Sequence, residues 1–270
     1  MATNVSKAAG FYDYNPNTVP GLVARFRPEE LPASGAVATW TANVGTNATQ
    51  ATGASQPVIS ANLLNGYKGA YFDGSNDWLT TGIQNSAIYS TSSVIAVVRT
   101  PSVHTGNNGR MLCVASGSGV SYAINGPLAD GKMRGLNASV AWMDPSSSAL
   151  GVDTAFMLEY VWNDAANTMT YHQDGNAQGT ATYTTAPTAT NTALMQMCKE
   201  SAATYYGNLT IYEMMVFNTT LSEANRVALE GFLADKFGRK DKLSSTHWHK
   251  NIKPLSKMLF WGSEAFASAI

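Results

Sequence analysis

Ala70-Tyr71-Phe72-Asp73-Gly74-Ser75-Asn76-Asp77-Trp78-Leu79 places two apolar, strand-forming patches on either side of a short polar corner. Gly74 can adopt positive φ at no steric cost, and Asp73, Ser75 and Asn76 carry side chains that bond to nearby backbone amides. The stretch therefore predicts a strand, a tight turn and a second strand. Taken alone, it does not say which fold these strands build.

Other motifs follow one another in order along the chain: Gly21–Phe26, Val37–Trp40, Gln56-Pro57 and Asn65-Gly66-Tyr67 before the corner, and Tyr206–Asn218 and Leu221–Ala224 after it. In order and spacing they resemble laminin-G-like members of the concanavalin A-like lectin/glucanase superfamily. The resemblance covers roughly residues 18–238. It implies an all-β jelly-roll sandwich of two antiparallel sheets with a helix straight after the last strand. It is specific for fold and not for function, because one fold hosts many unrelated activities.

The local patterns favour the same class. Ser92–Arg99 is a β-branched run typical of a central strand buried on both faces, and Asp174-Gly175 is typical of a hairpin turn. One helix is predicted, capped by Thr220 or Ser222 and ended by Gly238. We expect an N-terminal arm over residues 1–18, one sandwich over 19–238 and a C-terminal extension over 239–270.

Composition restricts the partners. The 270 residues carry a formal net charge of −1 and only 13% charged side chains, which gives no electrostatic attraction to nucleic acid. No apolar run has the length of a membrane span, and the first residues lack the apolar core of a signal peptide. Synthesis in a cytoplasm is therefore expected. Cys113 and Cys198 lie in apolar runs and are predicted to be reduced core residues rather than a bridge.

Catalytic patterns are weak in this sequence. Glycosidases of the resembling superfamily carry two carboxylates a few residues apart on one strand, in the spacing Glu-x-Asp-x-Glu, and this spacing is missing. Glu29 and Glu30 would point to opposite faces of an extended strand, while Glu159 and Glu213 are solitary. No Gly-x-Ser-x-Gly nucleophile elbow is present. The prediction from these patterns is a protein that is not an enzyme.

Calcium is the one candidate ion, and no other cofactor is expected. The resemblance places acidic residues at Asp77 and Glu213, where relatives use carboxylates near the sheet rim. Calcium takes 6–8 oxygen ligands, however, and Trp40 is followed by Thr41-Ala42 where the family often has an aspartate two residues on. The alternative is that Asp73 and Asp77 only bond the turn between them.

Aromatic residues supply candidate contacts. Trp142 and Tyr171 are the candidates for a carbohydrate platform, with core packing as the alternative for each. The two terminal regions carry aromatic residues predicted to dock on neighbouring subunits: Phe11, Tyr12, Tyr14, Trp248, Phe260, Trp261 and Phe266. Because an exposed apolar tail is a liability, the other interpretation is that it covers the edge of its own sandwich.

The resembling short proteins without a signal peptide or catalytic module are tailed-phage structural components. The resemblance therefore implies a virion protein, either a capsid decoration or a fibre or tail component. We then expect its sandwich to contact carbohydrate, its arms to bind other virion proteins and the chain to form a homo-oligomer. Two alternatives stay open: a free carbohydrate-binding module, and a divergent glycoside hydrolase or polysaccharide lyase of the same fold.

Overall fold

The computed structural model describes residues 14–88, 91–103, 110–116, 119–126, 130–137, 149–183, 192–200 and 205–251. Within these ranges the chain forms sixteen strands and one α-helix, α1, at Glu223–Lys236. The strands are β1 Leu22–Phe26, β2 Thr39–Trp40, β3 Ala42–Val44, β4 Ala48–Thr49, β5 Val58–Ile59, β6 Ala70–Asp73, β7 Leu79–Gln84, β8 Ser92–Arg99, β9 Arg110–Ser116, β10 Gly119–Asn125, β11 Arg134–Asn137, β12 Ala155–Asn163, β13 Thr168–Gln173, β14 Asn176–Thr182, β15 Leu194–Met197 and β16 Asn208–Phe217.

The described strands pair into two antiparallel sheets. Sheet A has the order β14-β13-β12-β8-β16-β1-β3, with β6 also pairing with β16 and β5 pairing with β6. Sheet B has the order β11-β10-β9-β15-β7-β4-β2. The predicted all-β sandwich of two antiparallel sheets with one helix is confirmed.

Strand β8 shows why the layers stack. Its β-branched run lies between β12 and β16 and is buried along almost its whole length. Because side chains alternate across a strand, Val94, Ala96 and Val98 face the core between the sheets, whereas Ile95 and Val97 face a second apolar cluster. The same alternation places Trp162 and Tyr160 of β12 in the inter-sheet core.

Helix α1 covers the outer face of sheet A. Ser222 caps it by accepting a hydrogen bond from Asn225 N, and Gly238 follows its end with φ of +66°. Leu229 and Leu233 pack on the outward side chains of β8 and β16 in the second apolar cluster. In the described part of the chain, no helix has the length and apolarity needed to cross a membrane.

The segment 239–251 lies against this helix and against the turn between β13 and β14. Arg239 donates hydrogen bonds of 2.9 and 2.8 Å from Nη2 to the carboxylate of Asp174, which sits in the predicted hairpin turn at φ of +49°. His249 is fully buried beside Gly231, where an added Cβ would lie 2.2 Å from the imidazole ring. At the other end of the described chain, the Tyr14 ring packs on Phe232, with centroids 5.9 Å apart.

A cluster of buried titratable groups joins the helix to the sheet. Glu159 of β12 and Glu230 of α1 are both buried, and the two carboxyls interact electrostatically, which disfavours ionising both of them. Burial, followed by the charge of Glu230, raises the pKa of Glu159 well above that of an ordinary glutamate. Burial alone would also raise the pKa of Glu230, but the hydrogen bond from His247 and the charge of Arg226 lower it. Glu159 is therefore the protonated member.

Replacing Glu159 with glutamine tests this assignment. A raised native pKa stabilises the fold fully below the unfolded value of 4.5, and the contribution is lost as pH rises above it. Glutamine mimics the neutral acid at every pH, so the stability of Glu159→Gln relative to the native chain should rise by about 1.4 kcal/mol per pH unit between that value and the raised native pKa. Urea unfolding between pH 4.5 and 7 measures the difference. Glu223→Gln, at an exposed helix position, is the matched control, and a pH-independent effect of Glu159→Gln would contradict the assignment.

Candidate functional site

A cleft of about 300 Å³ opens on the surface between the β1–β2 loop and the β5–β6 connection. It is lined by Pro28, Glu29, Ala33, Ile59, Leu63, Gly66, Tyr67 and Lys68. Its walls combine apolar side chains with one aromatic ring, one carboxylate and one ammonium. The Lys68 ammonium is hydrogen-bonded within the cleft wall, because it donates to the carbonyl oxygens of Leu31 and Pro32 at 2.7 Å each.

A tight turn positions Tyr67 at the wall of this cleft. Leu64 and Tyr67 exchange backbone hydrogen bonds of 2.9 and 3.0 Å. Asn65 and Gly66 between them have φ of +49° and +84°, the positive values that a type I′ turn requires and that Asn-Gly adopts most readily. The Asn65 side chain also donates to the carbonyl of Lys236 at 2.8 Å. The turn is thereby attached to the last turn of α1.

The Tyr67 ring rests on the end of that helix. It meets the ring of Phe237 edge-on, with centroids 5.3 Å apart. The ammonium of Lys236 lies 4.9 Å from the Tyr67 centroid, within range of a cation–π contact. These contacts hold the aromatic ring in one orientation at the cleft wall.

Lys236 also connects the cleft to a buried ion network. Its Nζ lies 2.8 Å from Glu29 and 2.7 Å from Glu213, and Glu213 in turn accepts hydrogen bonds from Arg25 at 2.9 and 2.7 Å. The Glu213 side chain is 0% exposed and that of Glu29 is 43% exposed. Burial would raise the pKa of Glu29, but the hydrogen bond and the charge of Lys236 lower it overall. Glu29 is therefore the ionised carboxylate that the cleft presents to solvent.

The residues predicted to bind calcium have other partners in the structure. Both carboxylate oxygens of Glu213 are used by Arg25 and Lys236. Asp77 accepts a hydrogen bond from Asp73 N at 3.1 Å, and Asp73 accepts from the amides of Ser75 and Asn76, which is the turn-bonding alternative. Across the described ranges, no group of three or more His, Cys, Asp or Glu side chains is arranged to hold a metal ion. The calcium site stays a prediction.

The predicted carbohydrate and docking residues are dispersed. Tyr171 is fully buried between the sheets, 5.0 Å from the Tyr160 ring, so it presents no ring face to a sugar. Tyr14 packs on α1, whereas Trp248 is 49% exposed. Trp142 and the docking residues Phe11, Tyr12, Phe260, Trp261 and Phe266 lie outside the described residues. Cys113 and Cys198 are both buried and free, as predicted.

The cleft itself was missed by the sequence analysis. The sequence gives Glu29 only one acidic neighbour, Glu30, which would point to the opposite face of an extended strand, and no motif includes Lys236. One signal was available: the Asn65-Gly66 turn places Tyr67 at a loop corner instead of inside a strand. The partners of Tyr67 could not be identified from that signal alone.

Comparison with known proteins places the fold among sandwich domains of enzymes. No protein-family model matches the chain, and no curated protein matches by sequence. Trypanosoma rangeli sialidase in complex with sialic acid superposes with a TM-score of 0.58 at 13% identity, covering 80% of this chain and 33% of the sialidase. The sialidase complex with 2,3-difluorosialic acid, a covalent intermediate, gives the same values. The chain thus spans about a third of the length of these sialidases.

Another structure matches over nearly its whole length. Domain 4 of AbnA, a GH43 extracellular arabinanase from Geobacillus stearothermophilus, in complex with arabinotriose, superposes with a TM-score of 0.52 at 12% identity. The match covers 76% of this chain and 95% of that domain. A likeness at this identity establishes the shared β-sandwich fold.

These comparisons correct one expectation and leave another without support. The prediction of a protein that is not an enzyme is contradicted, because the structures that share its sandwich belong to enzymes, a sialidase and an arabinanase. The error came from treating the missing Glu-x-Asp-x-Glu spacing as decisive, although it excludes only one arrangement of carboxylates on one strand. Neither protein is a virion component, so the phage interpretation gains nothing from them.

Lys236→Met tests how strongly the ion network fixes the cleft. Methionine keeps the apolar stem but leaves the buried carboxylate of Glu213 with one cation instead of two, and the expected loss of stability is about 3 kcal/mol. The exposed pair Lys242–Asp241 supplies the matched control, because Lys242→Met should change stability by less than ~0.5 kcal/mol. Adding Glu213→Gln to Lys236→Met should lower stability further, because it leaves the buried guanidinium of Arg25 without a carboxylate. Equal chemical-denaturation midpoints for Lys236→Met and the native chain would refute the role of the network.

Proposed function

We propose that this chain is a carbohydrate-binding sandwich of a glycan-processing protein and that it holds a saccharide in the cleft between Glu29 and Tyr67. The observation that carries the proposal is the pairing of a fixed aromatic ring with a fixed, solvent-exposed carboxylate on the walls of one cleft. Both groups are held by the same residue, Lys236, and do not depend on a ligand for their positions.

The chemistry of the lining suits a sugar ring. Saccharides combine apolar C–H faces with hydroxyl groups at their edges, and protein sites meet them with aromatic side chains and a few placed polar groups. Tyr67 offers the ring face, and the Glu29 carboxylate accepts charge-assisted hydrogen bonds from hydroxyls. Leu63, which is 59% exposed, and Ile59 extend the apolar wall.

The structural neighbours support the same class of ligand. The AbnA domain is similar in extent to this chain, and its structure is that of a complex with arabinotriose. A β-sandwich similar to this chain thus occurs in an arabinanase, and the structure of that domain contains a bound saccharide. A role in recognising glycan for a processing enzyme is the coarsest function that accounts for both the cleft and the comparisons.

Binding fits this cleft better than hydrolysis by the cleft itself. Glycoside hydrolysis uses two carboxyl groups that both reach the substrate. Of the two carboxylates that contact Lys236, Glu213 is fully buried, and Glu29 is the accessible one. Among the described lining residues, Glu29 has no second carboxylate beside it.

Titration of the full chain with arabinotriose, followed by calorimetry, tests the proposal. Tyr67→Ala should weaken binding about tenfold, the loss expected when an aromatic contact of ~1.5 kcal/mol is removed. Tyr67→Phe keeps the ring and should bind within about twofold of the native chain. Glu29→Gln should weaken binding further than Tyr67→Phe, because a neutral amide is a poorer acceptor for hydroxyl donors.

Val152→Ala is the control, since Val152 is half-exposed and lies outside the cleft lining. Thermal melting of each variant verifies the fold. Native affinity in both Tyr67→Ala and Glu29→Gln would refute the proposed cleft. Release of shorter arabinose oligomers that Glu29→Gln abolishes would instead make the cleft catalytic.

A further inference from the structure

A second surface, at the far end of β6 from the cleft, combines aromatic rings with a lysine. Tyr67 precedes β6 in the chain, whereas Trp78 follows the turn that ends it. The Trp78 surface consists of Trp78, Lys199, Tyr205 and Tyr206, with the ion pair of Arg110 and Glu200 beneath it. Trp78, Lys199 and Tyr206 are partly exposed, and Tyr205 is 37% exposed.

The backbone around Lys199 is well fixed. Lys199 and Tyr206 form a β-bridge, flanked by hydrogen bonds from Glu200 N to Tyr205 O at 3.0 Å and from Gly207 N to Cys198 O at 2.8 Å. At Gly207 an added Cβ would lie 1.9 Å from the carbonyl oxygen of Arg110, so only glycine allows this approach. The two sides of the hairpin therefore present Lys199 and Tyr206 together.

The ion pair beneath the surface fixes the second tyrosine. Arg110 is buried and donates through Nε to Glu200 at 2.9 Å. Its guanidinium carbon also lies 5.2 Å from the Tyr205 ring centroid. The charge of Arg110 is thus neutralised by Glu200, and the Tyr205 ring packs on this ion pair.

Unlike the guanidinium of Arg110, the ammonium of Lys199 lies beside aromatic rings without a carboxylate partner among the described ion pairs. Its ammonium lies 4.2 Å from the Trp78 ring centroid and 5.8 Å from that of Tyr206. Among the described ion pairs, none includes Lys199. Ring faces stabilise an ammonium only modestly, so this cation retains its capacity for an anionic oxygen. A partner that brings a carboxylate together with an apolar face that packs on aromatic rings fits this arrangement.

We propose that the Trp78 surface is a second saccharide subsite that selects a carboxylate-bearing sugar of the uronic acid type. Lys199 pairs with the carboxylate while the apolar face of the sugar packs on Trp78 and Tyr206. This subsite rests on the proposed carbohydrate-binding function and adds to it a class of ligand that the Tyr67 cleft does not select. The cleft presents the carboxylate of Glu29, which would repel an acidic sugar.

The experiment compares two probes that differ in the carboxylate alone, a trisaccharide of galacturonic acid and the same trisaccharide of galactose. The full chain should bind the acidic probe about tenfold more tightly at low salt, the gain expected from one charge-assisted contact, and the preference should shrink at high salt. Lys199→Met should abolish the preference without changing affinity for the neutral probe. Trp78→Phe should weaken binding of the acidic probe, and Lys242→Met is the control for removing a surface lysine.

The outcomes separate this subsite from the cleft. Equal binding of the two probes by the native chain, or an unchanged preference in Lys199→Met, overturns the proposal. If arabinotriose binding still depends on Tyr67 in that case, the proposed function stands and only the second subsite fails. A preference lost in Lys199→Met but kept in Tyr67→Ala supports the Trp78 surface as an independent subsite.

Discussion

Glu213 is the buried carboxylate on which the architecture behind the cleft depends. It lies on the central strand β16, is fully removed from solvent, and is neutralised by Arg25 of β1 and Lys236 of α1. A buried charge is tolerated only when its partners are close and well oriented. Satisfying this carboxylate therefore requires β1, β16 and the last turn of α1 to meet in one arrangement. Glu29 and Tyr67, which contact Lys236, take their places from that constraint.

Burial of the apolar cluster beneath α1 supplies most of the free energy that holds the helix on sheet A. It does little to fix the position of the helix along the sheet. Leu229, Leu233 and Phe237 would bury similar area if α1 shifted along the sheet. The polar contacts do not permit such a shift, because Leu221 N donates to Ser93 Oγ of β8 just before the helix begins, and Lys236 pairs with Glu213 of β16 where the helix ends. Hydrophobic burial thus holds the helix on the sheet, and the polar contacts at its two ends fix its position.

The parts of the fold that local sequence determines could be predicted. The β-branched run of β8, the Asp174-Gly175 turn and the Ser222 cap each follow from neighbouring residues alone. Tyr171 shows a limit, because β13 alternates and Met169 and Tyr171 share the buried side, yet a surface role was proposed for it. The cleft depends on the contact of Glu29 with Lys236, which are 207 residues apart, and no local pattern encodes that pairing.

The two ends of the described chain converge on neighbouring residues of one helix. Tyr14 packs on Phe232, and His249 fills the space left by the missing side chain of Gly231. The described part of the chain therefore enters and leaves the sandwich on the same side, the helix-covered face of sheet A.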